Sequence, residues 1–537
     1  MRGSGGASAL IGAGTIVSRL TGFLRSVVLV SAVGATTAGG NAFTVANQLP
    51  NNIYTIISTG LLSAVVVPQI VKAAAHNDGG RAFVSKLVTL GTLVLLGTTL
   101  LATLAAPLLV TLYAPEFSAS QQALATAFAY WCLPQILFYG LFALVGESLN
   151  ARRVYGPYTW APIVNNIVSI VGFVAFIWLF GPAGKATEWT PEMIAVLGGT
   201  ATLGIVVQTG LLFVFWRRTG LHIRPDFRWR GVGLGQIGKL AGWTFLMVVA
   251  GQLAGIVQSR VMSRVPDGDP GLFVSANAWL LFMLPYSIIV LSIGTPYFTQ
   301  LSEHAKAGRD GEVRSDIGRS IRTLGFFVVA ATAAMAAAAI PASRIFTGSP
   351  AEAVGAAGVL LCYLVGLIPL AVLFVVQRTF YAYDDTRTPF FFTVLQCTLV
   401  VGSALGALWA FNTGVLPSSQ LVAAVALGQS LSSVVQVIAA SWLLHRRMGG
   451  IHVASWLWAL SRFALAAIPA GAAGWLTFLL LGGVDGWTAS DKLLGAVGAA
   501  IIGIVVIAVY LGILALFRAP ELTVATGLVR RFLPGRR

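Results

Sequence analysis

The chain has 537 residues, of which 57% are hydrophobic and only 10% charged, and it carries a net charge of +16. Soluble domains hold roughly 25% charged residues, and apolar runs of about 20 residues recur here from end to end, so a water-soluble fold is excluded. The positive balance sits in short segments between those runs, which marks membrane topology rather than a nucleic-acid surface.

The first apolar stretch, 8–33, is too long for the core of a signal peptide and contains Arg19 and Arg25, so it reads as a transmembrane helix. Further helices are expected at about 43–72, 84–113, 119–150, 157–181, 193–217, 238–263, 272–300, 319–343, 351–382, 389–412, 419–445, 457–482 and 491–517. The fold class is therefore an all-α polytopic membrane protein of about fourteen helices. No polar stretch exceeds about 30 residues, so no soluble domain is expected. Cys132, Cys362 and Cys397 lie inside apolar segments without metal-ligand spacing and read as small buried hydrophobes.

Loop charge sets the orientation. Of the 34 Lys and Arg residues, 26 fall on one side together with both termini, whereas Lys185, Arg264, Arg344 and Lys492 fall on the other. The bias predicts cytoplasmic N and C termini in the inner, cytoplasmic membrane.

The halves echo each other. Leu49-Pro50 and Arg25 recur at one spacing as Leu284-Pro285 and Arg260, and Asn150 to Pro157 resembles Tyr381 to Pro389. A shift of six helices gives two parallel bundles, 1–217 and 238–445. They are joined by a basic cytoplasmic linker at 218–237 and followed at 446–537 by two extra helices and a basic tail. Such repeats suit alternating access around a cavity.

Charges within the helices carry most information about function. An arginine at mid-bilayer costs at least ~2.5 kcal/mol and usually faces protein or a wet cavity. Arg19 lies ~16 Å into helix 1 and Arg25 ~9 Å further, about 120° around the axis. Arg260, near the outer end of helix 7, could face a cavity or reach the headgroups; Arg462 can snorkel from the start of helix 13. Glu147 could carry a coupling proton or reach the cytoplasmic interface. The excess of arginine over carboxylate asks for a polyanionic guest, and the guanidinium fork suits phosphate. In helix 2, Asn47, Gln48, Asn51 and Asn52 flank Pro50, with Asn47 and Asn51 on one face; they suit a cavity wall or interhelical hydrogen bonds.

No nucleotide-binding motif and no metal spacing appears, and Asp384-Asp385 is explained by a turn; the chain reads as neither an enzyme nor a cofactor or metal binder.

Ser18-Arg19-Leu20-Thr21-Gly22-Phe23-Leu24-Arg25 resembles the helix 1 signature of the MurJ/MviN family, lipid II flippases of the multidrug/oligosaccharidyl-lipid/polysaccharide exporter superfamily. Asn41 to Asn51, Val67-Pro68, Ala161 to Asn165, Phe380-Tyr381-Ala382 and Asp385 to Pro389 resemble further family motifs, so the likeness spans the chain. It implies two bundles around a cationic cavity lined by helices 1, 2, 7 and 8, with helices 13 and 14 forming a lipid-facing groove. It implies lipid II, an undecaprenyl-diphosphate-linked disaccharide-pentapeptide, as substrate, flipped from the inner to the outer leaflet for cell-wall synthesis. Arg19 and Arg25 would hold the diphosphate, with Ser18, Asn41, Asn47, Asn51 and Arg260 as further contacts. Membrane lipids and cell-wall synthesis or division proteins are the other partners expected; nucleic acid is not.

The sequence departs from the family where Asn41 replaces an aspartate, where arginines are missing near Tyr54 and Leu280, and where Gln258 or Ser259 replaces a sodium-binding carboxylate. Three rivals follow: an exporter of another lipid-linked oligosaccharide or of drugs, a non-transporting scaffold for cell-wall enzymes, and a membrane glycosyltransferase, which would need a loop catalytic carboxylate and a sugar-donor site that the sequence does not show.

Overall fold

A computed structural model describes residues 4–59, 81–151, 154, 156–216, 225–227 and 234–522. Among these the secondary structure is helical throughout, without strands. The elements are α1 (Ser4–Val33), α2 (Ala38–Ile57), α3 (Arg81–Leu104 and Ala106–Tyr113), α4 (Ala119–Cys132 and Gln135–Ala151), α5 (Gly156–Phe180), α6 (Pro191–Trp216) and α7 (Leu234–Met262). They continue as α8 (Leu272–Pro285 and Ser292–Lys306), α9 (Asp310–Ala337), α10 (Pro350–Leu364 and Leu367–Ala382), α11 (Arg387–Asn412), α12 (Ser418–Met448), α13 (Val453–Leu480) and α14 (Lys492–Leu516).

Thirteen of these are long and apolar enough to cross a bilayer. The other, α2, is interrupted by polar residues, and the remainder of the expected 43–72 helix lies outside the described residues. Large apolar side chains point away from the protein, with Trp178 83% and Leu516 84% exposed. Water would penalise such a surface; a lipid solvent does not.

Three expected helices are broken rather than continuous. Pro107 sits in the first turn of the second α3 segment, where its missing N–H costs nothing. The α4 break falls at Leu133-Pro134, and α10 breaks around Gly366. In α8 the turn after Pro285 widens into a π-helical segment, Tyr286–Leu291, because proline cannot donate in the i→i−4 ladder. Helix α9 starts at Asp310, nine residues before its expected 319, and a short helix, Ala339–Arg344, follows it.

The chain divides into two compact units, Met1–Phe273 and Val274–Arg537. In the first, α5 packs between α1 and α6, and Val84, Val145, Leu149, Ala161, Leu212 and Trp216 form a buried cluster. Close approach needs small residues: a Cβ on Gly172 would lie 2.4 Å from Thr200 Cβ. In the second unit, α9, α13 and α14 meet around Phe326, Phe463, Ile502, Val506 and Tyr510. The Tyr510 hydroxyl donates to the Phe326 carbonyl at 3.0 Å, so this buried phenol is satisfied.

Arg462 does not snorkel freely, contrary to the expectation from its place at the start of α13. Its Nη2 donates to both Glu521 oxygens at 3.3 and 3.4 Å. Arg344 is buried rather than a loop cation, donating to the carbonyls of Thr347, Ala489 and Ser490. An apolar groove of about 520 Å³ lies between α9 and α13, lined by Val329, Ala336, Ile368, Ala467, Ile468 and Trp475; no α14 residue lines it, so it differs from the groove implied for helices 13 and 14.

Candidate functional site

Helix α1 carries two arginines and no carboxylate among Ser4–Val33. Its hydroxyls are mostly spent locally: Thr21 Oγ1 lies 2.9 Å from the Val17 carbonyl and 3.1 Å from that of Ser18, and Ser26 Oγ donates to Gly22. Gly22 leaves room for a side chain from α5, since a Cβ there would lie 3.5 Å from Asn166 Nδ2. Asn166 uses that room. Its Nδ2 donates to the Ser18 carbonyl at 3.1 Å and to Thr21 Oγ1 at 3.0 Å. The turn that carries Arg19 is thereby fastened to α5.

Beside that turn the first unit holds a chamber of about 510 Å³. Thr15, Ser18 and Arg19 line it from α1, Asn150 from α4, and Tyr158, Thr159 and Pro162 from α5. Hydroxyls, an amide and one guanidinium supply the polar groups of an otherwise largely apolar wall. Arg19 is exposed there and meets no acceptor among the described residues. The half-buried Glu147 lies one turn from Asn150, which hydrogen-bonds it, and forms no ion pair with Arg19.

Arg25 occupies a different environment. It is half-buried and within electrostatic reach of Tyr139, whose ring stacks on Tyr54 at 5.6 Å. The Tyr139 hydroxyl donates to Gln135 Oε1 at 3.5 Å. Gln135 is fully buried, and its Nε2 donates to Thr202 Oγ1 at 3.0 Å and to Asn47 Oδ1 at 3.5 Å. Thr202 closes the chain by donating to the Trp131 carbonyl at 2.6 Å. A polar thread therefore runs through α4 from α2 to α6, with Arg25 at its edge. Buried in apolar surroundings, each of these groups would be costly if left unpaired.

The remaining candidates are not gathered at the chamber. Asn41 is buried, and its Oδ1 accepts from the Phe273 N–H at 3.0 Å, capping an otherwise orphaned donor at the start of α8. A neutral amide oxygen suffices for that role. Asn51 is exposed on α2, and Asn52 Nδ2 donates to the Tyr113 hydroxyl at 3.3 Å. Arg260 is exposed in the last turn of α7, where the helix dipole favours a cation. The neighbouring Arg264 pairs with Glu116 at 2.8 Å.

Of the predicted residues, the chamber thus brings together Ser18 and Arg19, and the polar thread places Asn47 near Arg25. Sequence reasoning missed Asn166, Gln135, Tyr139 and Asn150. The available signal was polarity inside apolar runs, as at Asn165-Asn166 and Gln135, which a search for charges passes over. Among the described residues no group of three or more His, Cys, Asp or Glu is placed to hold a metal.

Known proteins resemble this chain along most of its length. The family described as "Lipid II flippase MurJ" matches residues 29–485. A protein of Vibrio cholerae named probable lipid II flippase MurJ is 25% identical over 538 residues, covering 96% of this chain and 97% of that one. One of Rhizobium meliloti with the same name is 25% identical over 429 residues, covering 77% of each. Among solved structures, an inward-closed lipid II flippase MurJ aligns with a TM-score of 0.71 and 18% identity, covering 94% of this chain and 98% of that one. An inward-facing multidrug transporter of the MATE family aligns with a TM-score of 0.63 and 15% identity over 81% and 95%. These structural likenesses establish the fold.

Proposed function

Because this chain belongs to the lipid II flippase MurJ family, we propose that it moves lipid II from the inner to the outer leaflet by alternating access. The observation that carries the reading is Arg19: a guanidinium inside an apolar span, beside a chamber of about 510 Å³, with no acceptor among the described residues. An unpaired guanidinium fork of this kind gains most from a phosphate, which accepts two parallel hydrogen bonds. Arg25, half-buried beside Tyr139, supplies a second cation for the other phosphate. The disaccharide-pentapeptide would meet the hydroxyl and amide wall, while the prenyl chain stays in lipid.

Two organisational readings belong to the same proposal. The bundles 1–217 and 238–445 rock about the substrate, with the last two helices outside that motion. Both termini lie in the cytoplasm, as the loop charges suggest. With a negative interior, outward passage of an anionic head group is then downhill by ~2.3 kcal/mol per charge per 100 mV.

The test is translocation of lipid II by the purified full chain in liposomes. Wild-type protein should expose the lipid to an external probe, and Arg19→Ala should slow this strongly. Equal rates for wild type, Arg19→Ala and Arg25→Ala would sink the diphosphate assignment. Complementation of a flippase-depleted strain separates transport from scaffolding, since a scaffold would tolerate Arg19→Ala.

A further inference from the structure

The second unit contains an arginine that no part of the flippase reading uses. Arg378 lies on α10, one turn before Ala382, inside the candidate span Pro350–Ala382. It is half-buried, and its guanidinium carbon sits 5.0 Å from the centre of the Phe298 ring and 5.2 Å from that of Phe374. Two aromatic faces hold the cation in place, yet they satisfy none of its N–H donors.

The surroundings add donors rather than acceptors. Tyr286 and Tyr381 are both within electrostatic reach of Arg378. The Tyr381 oxygen already accepts from Gln377 Nε2 at 2.9 Å, so its own O–H remains available to donate. Ser320, which shares a small cavity with Arg378, has a buried hydroxyl without a partner. The carboxylate of the following loop is spent: Asp385 accepts from Thr388 N at 2.9 Å and Thr388 Oγ1 at 2.8 Å, and pairs with Arg447. Among the described residues no acceptor reaches the Arg378 guanidinium. A cation in an apolar span surrounded by unspent donors is completed by an oxyanion.

We propose that Arg378, with Tyr286 and Tyr381, forms an oxyanion site in the second unit that takes a lipid-borne phosphate. Two sources share this chemistry, the diphosphate of a polyprenyl-linked substrate and the phosphodiester of an anionic bilayer lipid. The site is built from residues of the second unit alone, and it stands whether or not the Arg19 chamber binds lipid II.

Native mass spectrometry of the full chain in detergent tests it, with undecaprenyl diphosphate and phosphatidylglycerol titrated separately. Arg378→Gln should weaken retention of one probe about tenfold, the size expected for losing a charge-assisted pair of hydrogen bonds. Arg378→Lys should weaken it less, because charge remains and the fork is lost. Loss confined to the diphosphate identifies substrate; loss of phosphatidylglycerol identifies bilayer lipid. Unchanged retention of both probes overturns the proposal, even if Arg378→Gln lowers the melting temperature, since that result leaves Arg378 as a stacking contact only. The Arg19→Gln variant, run alongside, reports on the flippase reading separately.

Discussion

Replacing Asn166 should disturb transport without touching a charge. Its amide makes two hydrogen bonds to α1, at 3.1 Å to the Ser18 carbonyl and 3.0 Å to Thr21 Oγ1. Each such bond is worth about 0.5–1.5 kcal/mol net, so Asn166→Ala removes about 1–3 kcal/mol of α1–α5 docking. The lower half of that range applies, because no buried donor is orphaned: Thr21 Oγ1 keeps its carbonyl contacts to Val17 and Ser18. Arg19 follows Ser18 directly, so looser docking lets the guanidinium leave the orientation in which it meets the chamber. At about 1.4 kcal/mol per decade, lipid II translocation in liposomes should fall roughly tenfold. Asn166→Asp should do worse, since a carboxylate oxygen then faces the Ser18 carbonyl and offers Arg19 an internal partner that competes with substrate. The reasoning fails if Asn166→Asp transports at the wild-type rate, or if Asn166→Ala loses thermal stability while translocation is unchanged.

Further outcomes follow from the same geometry. Arg344→Ala should cost about 3 kcal/mol or more, because three carbonyls lose a buried charged donor; limited proteolysis between 486 and 491 should accelerate, and lysine should restore only part of the protection. Gly172→Ala drives a methyl to 2.4 Å from Thr200 Cβ, so the melting temperature should fall, and Thr200→Ser should not relieve it because the clashing atom is the Cβ itself. Glu521→Gln leaves Arg462 without its carboxylate and should destabilise the α13 docking by about 1–2 kcal/mol, read by thermal unfolding in detergent. Tyr383, beyond the end of α10, donates to Asp310, and burial first and that carboxylate second hold its phenol up to about 12. Its contribution to stability is therefore complete below the ordinary value near 10 and is lost as pH rises through about 12; in Tyr383→Phe the ultraviolet phenolate titration should lose one of its late-ionising steps.

The helices were legible because lipid imposes a rule that each residue obeys by itself: an apolar run of about 20 residues needs no knowledge of its neighbours. Breaks within the runs were not legible. Pro107 falls in a first helical turn, where it is harmless, whereas Pro285 lies within α8 and shifts the ladder into a π segment; the difference lies in where each helix starts, which the apolar run does not mark. The same limit applied to charges. Arg19 was identifiable as an intramembrane cation from its position alone. Arg462 was misread because its partner, Glu521, is 59 residues away, beyond α14, in what looked like a basic tail. Arg344 passed for a loop cation because its partners are backbone carbonyls, which sequence composition cannot register. Asn166 and Gln135 were missed for a related reason, since an amide declares its role only when its opposite number is known.

What separates a structural cation from a functional one in this chain is the balance of acceptors around it, read together with its place along the span. Arg264 and Arg462 have carboxylates, and Arg344 and Arg314 have backbone carbonyls. Each finds an acceptor within the protein for part of its guanidinium, although the Nε atoms of Arg314 and Arg462 are buried without a partner. Arg19, Arg25 and Arg378 meet no such acceptor among the described residues, though all three lie in spans where desolvation is costly. Arg260 lacks one too, but its exposed place at a helix C-terminus lets headgroups or water complete it. A transporter that must release its cargo gains from keeping its binding cations incomplete. A resident carboxylate would compete with the phosphate at every cycle, whereas aromatic faces and hydroxyls hold the guanidinium in place and leave its hydrogen bonds for the guest. Introducing an acid beside Arg19 should therefore be more damaging than removing a hydroxyl from the same wall. Asn150→Asp against Thr159→Val makes that comparison inside one chamber, and equal translocation rates for the two would refute it.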